Sequence, residues 1–537
     1  MKKLITFVVM LSLAASVAFA APGAKVSPMA DVRVRQAIKY AIDMKTVVDT
    51  LMNGKAVVAN SLTPNGEWKV PGLAEYAYNP DKARQLLKEA KWDANYVLDV
   101  VYYYGDQMTV DFMTAVQAYL ADVGMKMNFR KLEGDLGSQL WVPPVDPTNG
   151  PSAVKWDMAY AAVAALALDE YYDRFLPGGA SNSHTPKDAT LENLIKATKV
   201  VDPVAQKKAY FKLQQYESDT MPSVPLYYQQ VFVVSSTKLN RAGAGFGNEQ
   251  YNYDWNIVKW DIPADASGKK VLRTNGGPVS FVETPFLNPG LFMSMKVLFD
   301  HLIVADADLS NFKPQLATYK VSPDDREITF TLKNGIKWHD GSAITADDVK
   351  WTYEFAAKVP AIHAVFGSML KAIDGYQDYK DGKASGIRGI KINGNSVTFS
   401  FPTAFPNALL CFSQFPPLPR KYFANVDPLK FQQADFWQKP VGSGPFMAKT
   451  ISMGNYATFV PFKEYHDGVA IIDEVQMYPS GESDPNLVKN AAARQLDYAY
   501  TKSIEDVLAL EKMSHLKVTP VNIRYTRLFF VNKFPKP

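Results

Sequence analysis

The chain contains 537 residues, more than one hydrophobic core usually serves, and its length therefore predicts two or three lobes. Its formal net charge at pH 7 is only +4, and basic residues are interleaved with acidic ones, so the charge gives no sign of a nucleic-acid partner. The single cysteine, Cys411, lies in the apolar segment NALLCFSQF; this excludes an intramolecular disulfide and leaves burial to hold the fold together.

The first twenty residues have the pattern of a secretory signal peptide. Lys2 and Lys3 precede an apolar run, and the small residues Ala18 and Ala20 mark a cleavage site. No later stretch approaches the roughly eighteen uninterrupted apolar residues of a membrane helix, and no cysteine at the cleavage site could carry a lipid. We therefore expect residues 1–20 to be removed and the mature protein to be periplasmic or secreted.

The segment after the signal predicts alternating helices and strands. Asp31 is suited to cap a helix whose apolar positions fall on one face. A second helix is predicted over residues 80–90, then the strand VLDVVYYY, a helix over residues 110–123 that ends at Gly124, and the alternating strand MKMNFRKL. This succession predicts an α/β lobe over residues 29–232.

A different pattern follows residue 232. Residues 263–270, PADASGKK, have the composition of a flexible linker, and strands predominate from Val271 onward. Asn393–Gly394–Asn395 predicts a hairpin turn, and Thr345 followed by an aspartate three residues later predicts the start of a helix. We expect a second, mixed α+β lobe over residues 233–262 and 271–537.

Patterns of catalytic or metal-binding residues are missing from the sequence. The six histidines show no pair at the spacing of helical metal ligands: His184, His301, His339, His363, His466 and His515. Gly442–Ser443–Gly444 lacks the spacing of a nucleophile elbow, and the glycines of residues 243–247 lack the flanking strand and helix of a phosphate-binding loop. We therefore expect no enzymatic activity, no cofactor and no metal.

Aromatic residues are the positive signal for a ligand. The chain contains 28 tyrosines and 9 tryptophans, and several tyrosines follow strands or lie beside acidic residues. Such side chains combine a flat apolar surface with a polar tip, which suits the wall of a binding site. Packing of a core is the alternative for each of them.

Residues 315–351, QLATYKVSPDDREITFTLKNGIKWHDGSAITADDVKW, closely resemble a segment of the family 5 extracellular solute-binding proteins, the dipeptide and oligopeptide receptors of ABC importers. Further segments resemble the same family: PVGSGPF, KEYHDG, QLD, DVRVRQAIKYAID, NPDKARQLLKEAKW and MPSVPLYY. The resemblance spans nearly the whole mature chain. It implies a mixed α/β, two-lobed periplasmic binding protein fold of class II, with an extra subdomain at about residues 308–430.

The order of these segments differs from the order in the family. There the WHDG and VGSGPF segments come first and RVRQAIKYAID enters the second lobe about halfway along, whereas here the second lobe comes first. Residues 263–270 would join the family's usual C-terminal tail to its usual beginning. We interpret this as a circular permutation, with Pro537 close to Met29 at the lobe boundary. A mis-joined gene is the alternative, and the signal peptide ahead of the permuted start argues against it.

The resemblance also implies where a ligand binds. Family members close two lobes over the ligand by a hinge motion and hold peptide termini by opposite charges. The implied ligand-binding residues are Asn275, Gly276, Gly277 and Phe281 in one lobe, and Tyr160, Leu168, Asp169, Tyr171 and Asp173 in the other. Tyr104, which follows a predicted strand, is a further candidate from the aromatic pattern. The implied hinge residues are Val233, Val234, Ser235, Asn532 and Phe534. The aspartate that commonly pairs with a peptide's amino terminus aligns here with a leucine, Leu166 or Leu168, so that Asp169 is the nearest acid.

The functional hypothesis is a receptor that captures di- or oligopeptides and delivers them to the membrane subunits of an ABC importer. An oligosaccharide receptor of the same family is the alternative, because aromatic richness and the displaced aspartate would suit stacking on sugar rings. A secreted hydrolase would require a catalytic constellation that the sequence does not show. We expect a monomer, with exchange of a lobe between two chains as the alternative assembly.

Overall fold

The computed structural model describes residues 25–179, 181–245, 256–275, 285–287, 293–307, 309–479 and 485–536. Its first half alternates helices and strands, as the sequence predicts. The helices of this half are α1 (Val32–Ala41), α2 (Met44–Thr50), α3 (Pro80–Glu89), α4 (Gln107–Asp122), α5 (Leu136–Leu140), α6 (Asp169–Tyr172), α7 (Ala189–Ala197) and α8 (Pro203–Thr220). The strands are β1 (Ala56–Val58), β2 (Val97–Tyr102), β3 (Lys126–Lys131), β4 (Met158–Ala164) and β5 (Ser223–Ser236).

The second half is richer in strands. Its helices are α9 (Met293–Leu298), α10 (Ala346–Ala356), α11 (Ala364–Ala372), α12 (Tyr376–Lys380), α13 (Ala408–Gln414), α14 (Arg420–Phe423), α15 (Leu487–Ala492) and α16 (Ile504–Leu510). Its strands are β6 (Val271–Thr274), β7 (Ile303–Ala305), β8 (Phe312–Pro314), β9 (Ala317–Val321), β10 (Glu327–Leu332), β11 (Ile390–Asn393), β12 (Ser396–Ser400), β13 (Phe446–Ser452), β14 (Tyr456–Pro461), β15 (Glu474–Met477), β16 (Tyr498–Thr501) and β17 (Leu516–Val531).

Local capping signals set several helix starts. The Asp31 carboxylate accepts a hydrogen bond from the N–H of Arg33 at 2.9 Å and caps α1, as predicted. Thr345 caps α10 in a reciprocal capping box with Asp348. The helix predicted over residues 110–123 begins earlier, at Gln107, because the Asp106 side chain accepts the N–H of Thr109 at 2.8 Å and satisfies the first turn.

One sheet links both halves of the chain. Its strand order is β13-β14-β15-β6-β16-β5-β17-β4-β2-β3, and β1 pairs with β5 outside this path. The strands on the β4 side carry the helices of the first half and form the N-terminal lobe. The strands from β16 to β13, together with the separate sheet β11-β12-β10-β9, form the C-terminal lobe. The two-lobed, mixed α/β architecture expected from the sequence is therefore present.

Strands β5 and β17 are the crossing strands, because they run antiparallel through both lobes. Residues 223–228 of β5 pair with the end of β17 in the N-terminal lobe, whereas residues 230–236 pair with its beginning in the C-terminal lobe. Between these two stretches the register shifts, so that the β17 residues 523–525 lie opposite Gln229 alone. Such a bulge bends and twists a strand locally. The connection between the lobes therefore passes through a defect in the ladder.

Separate hydrophobic clusters fill the lobes. In the N-terminal lobe, Phe112, Tyr160 and Phe529 belong to the cluster under α1 and α4, and Phe530 and Tyr171 belong to the cluster on the other side. The largest cluster lies in the C-terminal lobe and includes Cys411, which is buried and free, as its apolar context predicts. Among the described residues, no helix is both long enough and apolar enough to cross a membrane.

The predicted hinge residues occupy two different environments. Val233, Val234 and Ser235 lie in β5, where they pair with β16 of the C-terminal lobe. Asn532 lies past the end of β17 inside the N-terminal lobe, fully buried, and its amide donates to Ser152 Oγ at 2.8 Å and to the Trp156 carbonyl at 3.1 Å. Phe534 is likewise fully buried. The structure thus places the crossing on β17 earlier than these two residues, at residues 523–525.

The first and last described residues meet on the N-terminal lobe. The N–H of Lys25 donates to the Lys536 carbonyl at 3.0 Å, and the N–H of Lys536 donates to the Lys25 carbonyl at 2.8 Å. Ser27 Oγ donates to the Asn532 carbonyl at 2.7 Å. By contrast, residues 263–270 form a mostly exposed turn on the C-terminal lobe, in which the Asp265 side chain accepts the N–H of Ser267.

This geometry predicts that the chain tolerates rejoining. A variant in which a short linker connects Lys536 to Lys25, and in which the chain is opened within residues 265–268, should adopt the same fold, because the joined ends already pair and the cut falls in an exposed turn. We expect its free energy of unfolding to differ from that of the parent by no more than about 1 kcal/mol, the scale of loop-closure changes. Urea unfolding and circular dichroism would measure this. Loss of cooperative unfolding would contradict the prediction.

Candidate functional site

Two adjoining cavities lie where the lobes meet the crossing strands. Their volumes are about 510 and 550 Å³, and they share the lining residues Trp68, Leu168 and Arg524. The first cavity continues between α8 of the N-terminal lobe and the Phe405–Leu410 region of the C-terminal lobe. A concave, partly apolar space between two lobes is the usual location of a small-ligand site. We refer to these two cavities together as the cleft.

The loop that follows β4 forms one wall of the cleft. The Glu170 carboxylate oxygen Oε2 accepts the N–H of Leu166 at 2.8 Å and of Ala167 at 2.9 Å. From the bulge of β17, Arg524 donates to the Leu166 carbonyl at 2.5 Å, and its own carbonyl accepts the N–H of Ala165 at 3.0 Å. Leu166 and Ala167 pack into the core cluster of the C-terminal lobe. The loop is therefore held by the bulge on one side and by the opposite lobe on the other.

A charged cluster lies directly after this loop. Lys199 Nζ contacts Asp169 Oδ2 at 3.0 Å and Asp173 Oδ1 at 2.7 Å. Asn407 Nδ2, from the C-terminal lobe, donates to the same Asp169 oxygen at 3.0 Å. Burial raises the pKa of Asp173, and the two carboxylates raise the pKa of Lys199 despite its burial. Two carboxylates share one ammonium here, so the cluster carries one net negative charge, and one of its members bridges the lobes.

Three buried polar atoms near the cleft have no hydrogen-bond partner among the described residues. They are Trp68 Nε1, Thr519 Oγ1 and Asp169 Oδ1. Trp68 and Thr519 line the second cavity. A buried donor or acceptor without a partner costs about 1–3 kcal/mol, and native structures keep few of them. Trp68 Nε1 and Thr519 Oγ1 are therefore available to a ligand or to water in the cleft, whereas Asp169 is not among the residues that line either cavity.

The three tyrosines predicted to bind the ligand differ in their burial. Tyr160 and Tyr171 are buried in the N-terminal lobe, where the Tyr160 hydroxyl lies 2.7 Å from that of Tyr227 and the Tyr171 hydroxyl lies 3.4 Å from Thr526 Oγ1. Both side chains therefore pack a hydrophobic core, which is the alternative to a ligand wall. Tyr104 is only partly buried and stacks against Tyr103 with ring centroids 4.3 Å apart. Of the three, Tyr104 has a surface left for a ligand.

The other predicted site residues are distributed as follows. Leu168 lines both cavities, and Asp169 and Asp173 form the charged cluster behind the loop. Asn275 is buried at the end of β6 in the C-terminal lobe. Gly276, Gly277 and Phe281 lie outside the described residues.

Sequence reasoning missed several residues that the fold brings to the cleft. Trp68, Lys199 and Asn407 come from segments without any recognisable pattern, and only the fold places them beside Leu168 and Asp169. Across the described ranges, no group of three or more His, Cys, Asp or Glu residues is placed to hold a metal ion.

A family model decides which group of proteins this chain belongs to. The model of the bacterial extracellular solute-binding proteins, family 5 Middle, matches residues 6–187 and 311–537, which together make up more than half of the chain. The chain belongs to the family 5 solute-binding proteins. This confirms the resemblance on which the expected two-lobed fold depends.

Curated relatives match over shorter stretches. A putative ABC transporter peptide-binding protein from Brucella ovis is 35% identical over 243 residues, which cover 43% of this chain and 45% of the relative. The oligopeptide-binding protein OppA from Lactococcus lactis subsp. lactis is 28% identical over 174 residues, 31% of this chain and 29% of the relative. The chain thus spans less than half the length of these curated relatives.

Solved structures of similar proteins overlap over a comparable fraction. Haemophilus influenzae OppA in complex with the peptide RPPGFSPFR is 22% identical with a TM-score of 0.37, and the match covers 44% of this chain and 46% of that one. The oligopeptide-binding protein AppA from Bacillus subtilis, in complex with a nonapeptide, is 22% identical with a TM-score of 0.37, over 46% of each chain.

The buried carboxyl that holds the cleft loop predicts a pH dependence of stability. Burial raises the pKa of Glu170 to about 7 from its usual 4.5. Between these values the folded protein holds a proton that the unfolded chain releases, so Glu170 lowers the free energy of unfolding as pH rises through this window. The Glu170→Gln variant keeps an oxygen for the N–H groups of Leu166 and Ala167 but has no proton to lose.

We therefore expect the free energy of unfolding of the wild type, minus that of Glu170→Gln, to fall as pH rises from about 4.5 to 7 and to level off above. Urea unfolding at a series of pH values would measure this difference. Glu217, whose pKa burial also raises to about 7, is present in both proteins and cancels. A difference that stays constant with pH would contradict the prediction.

Proposed function

We propose that the protein is the extracytoplasmic binding component of an ABC importer, and that it captures di- or oligopeptides by closing its two lobes. The observation that carries this proposal is the cleft itself, which lies between the lobes and against the crossing strands. Family membership supports it, as do the names of the relatives, which describe peptide-binding and oligopeptide-binding proteins.

In this proposal the crossing strands act as the hinge. The bulge at residues 523–525 interrupts the ladder between the two parts of β17, so bending there breaks few backbone hydrogen bonds. Arg524, within the bulge, holds the Leu166 carbonyl. Closure of the lobes and placement of the cleft loop are therefore coupled. Val233, Val234 and Ser235 lie on the neighbouring stretch of β5 and remain our proposed hinge residues. On β17 we propose residues 523–525 as the hinge, in place of Asn532 and Phe534.

The charged cluster supplies the proposed site for a peptide's amino group. Asp169 and Asp173 together exceed the charge of Lys199 by one, and Asp169 Oδ1 is buried without a partner among the described residues. A ligand ammonium would neutralise the remaining charge and satisfy this oxygen. Leu168, which precedes Asp169 and lines both cavities, would contact the apolar part of the ligand.

We also propose that the chain is a circular permutation of the family's usual order. The pairing of Lys25 with Lys536 and the exposed turn at residues 263–270 support this proposal, because both junctions then fall where they disturb little packing. The pairing of Lys25 with Lys536 falls within the N-terminal lobe, so both crossings between the lobes, in β5 and in β17, keep their covalent continuity, contrary to the cut crossing expected from the sequence.

A ligand screen tests the binding function. Thermal shift with di- to hexapeptides and with oligosaccharides should identify a peptide that stabilises the protein, because a ligand at one hundred times its dissociation constant adds about 2.7 kcal/mol. Mass spectrometry of each mixture would show whether the ligand is recovered intact. Stabilisation by oligosaccharides alone would move the assignment to the sugar alternative, and reproducible cleavage of a bound ligand would overturn a pure binding role.

The amine site has its own prediction. Asp169→Asn should weaken peptide binding by roughly 2–5 kcal/mol, the scale for removing one partner of a buried charge pair. Asp173→Asn is the matched control: it also loses a contact to Lys199, but its side chain is 45% exposed and does not reach Asn407, so we expect less than about 1 kcal/mol. Isothermal titration with a peptide from the screen would measure both. Equal losses in the two variants would refute the assignment to Asp169.

A further inference from the structure

Helix α16 of the C-terminal lobe contacts the N-terminal lobe at both of its ends. At its start, Ile504 packs against the cluster under α1 and α4. At its end, Glu511 Oε1 lies 2.5 Å from Nζ of Lys55, which belongs to the turn between α2 and β1. Leu510 belongs to one cluster with Val234, so the helix itself is fixed to the C-terminal lobe. The Lys55–Glu511 ion pair therefore joins the two lobes.

This ion pair and the Asp169–Asn407 hydrogen bond lie at opposite edges of the crossing strands. Lys55 directly precedes β1, and α16 follows β16; both of these strands pair with the edge of β5 that β17 leaves free. Asp169 follows β4, which pairs with the far edge of β17. Neither Lys55 nor Glu511 lines the cavities. The ion pair is therefore an inter-lobe contact outside the cleft, with the hinge between the two.

The surroundings of Lys55 strengthen this contact. The Lys55 side chain is only 20% exposed and that of Glu511 is 40% exposed. The Lys55 ammonium also lies 6.0 Å from the ring centroid of Phe232, in the stretch of β5 that belongs to the C-terminal lobe. Partial burial lowers the local dielectric constant and limits screening by salt, so such a pair attracts more strongly than a fully exposed one. Lys55 thus meets two residues of the opposite lobe.

The end of α16 adds a second reason for the attraction. Glu511 is the C-cap of this helix, and the last helical turn carries no basic residue. The C-terminal end of a helix has a partial negative charge, which disfavours a carboxylate and favours a cation. Lys55, supplied by the N-terminal lobe, brings a positive charge to this end. Separation of the lobes would remove that charge and leave Glu511 against the negative end of its own helix.

We propose that the Lys55–Glu511 ion pair is a latch that holds the two lobes in the arrangement that forms the cleft and opposes their opening. Because the pair lies outside the cleft, it acts on every ligand alike, by setting the fraction of molecules whose cleft is formed before a ligand arrives. The proposal rests on the hinge motion proposed above and does not depend on the chemistry of the ligand.

Spin labels on the two lobes test the latch in the ligand-free protein by double electron–electron resonance. The labelled parent carries Lys212→Cys on α8 and Lys489→Cys on α15, both at exposed positions, whereas the native Cys411 is fully buried. The distribution of distances between the labels gives the ratio of molecules with open lobes to molecules with closed lobes. No ligand takes part in this measurement.

Variants of the pair should change this ratio in a defined pattern. Lys55→Met and Glu511→Gln keep the size of each side chain and remove one charge, and each should raise the ratio of open to closed about two- to fivefold, the range for a partly exposed ion pair. Lys55→Glu combined with Glu511→Lys should restore the ratio of the parent. Lys337→Met is the matched control, because it breaks an ion pair of the same 2.5 Å length, to Glu464, within the C-terminal lobe, and it should leave the ratio unchanged.

High salt gives a second readout, since it should raise the ratio in the parent toward that of Lys55→Met and change Lys55→Met less. An equal ratio in the parent and both single variants, or a charge-swapped variant that resembles the single ones, would overturn the latch. So would one unchanged distance in every variant, whatever the ligand screen shows. If the expected pattern is found and no peptide stabilises the protein, the latch stands and the peptide assignment fails.

Discussion

The backbone pairing between β5 and β17 is the interaction on which the rest of the structure depends. These strands carry one continuous sheet through both lobes, so that each lobe packs its helices against part of the same framework. Long regular pairing would make this connection stiff. The register shift at residues 523–525 interrupts this pairing where the strands cross, and there Arg524 donates to the Leu166 carbonyl in the loop after β4. A second shift follows between Arg527 and Leu528.

The cleft follows from this arrangement. Its loop is tied to the bulge through Arg524, to the following helix through Glu170, and to the C-terminal lobe through the packing of Leu166 and Ala167. A change in the angle between the lobes therefore alters the same loop that lines the cavities. Beside this loop, Lys199 contacts both Asp169 and Asp173, and Asn407 of the C-terminal lobe donates to Asp169.

Tyrosines in similar sequence patterns differ in burial, and burial decides whether they can contact a ligand. Tyr160 and Tyr171 lie in patterns that suit a ligand wall, yet their hydroxyls bond to other residues inside the N-terminal lobe. Tyr104 shares the pattern and is left partly open, with Arg527 against its ring. The difference comes from the neighbours across the sheet, which the local sequence does not specify. The local sequence likewise does not specify the neighbours of Asn532, whose side-chain amide donates to buried acceptors away from the bulge.

The sequence by itself determined the family, the two-lobed class of fold, the caps of α1 and α10 and the region of the cleft loop, because these depend on local patterns that survive in any chain order. Only the tertiary structure decided where β17 crosses between the lobes, which carboxylate reaches Asn407, and which arginine meets Gln229. These features depend on contacts between residues hundreds of positions apart, such as Gln229 with Arg527 and Asp169 with Asn407. Sheet register and lobe packing bring these residues together, and neither can be predicted from the periodicity of the local sequence.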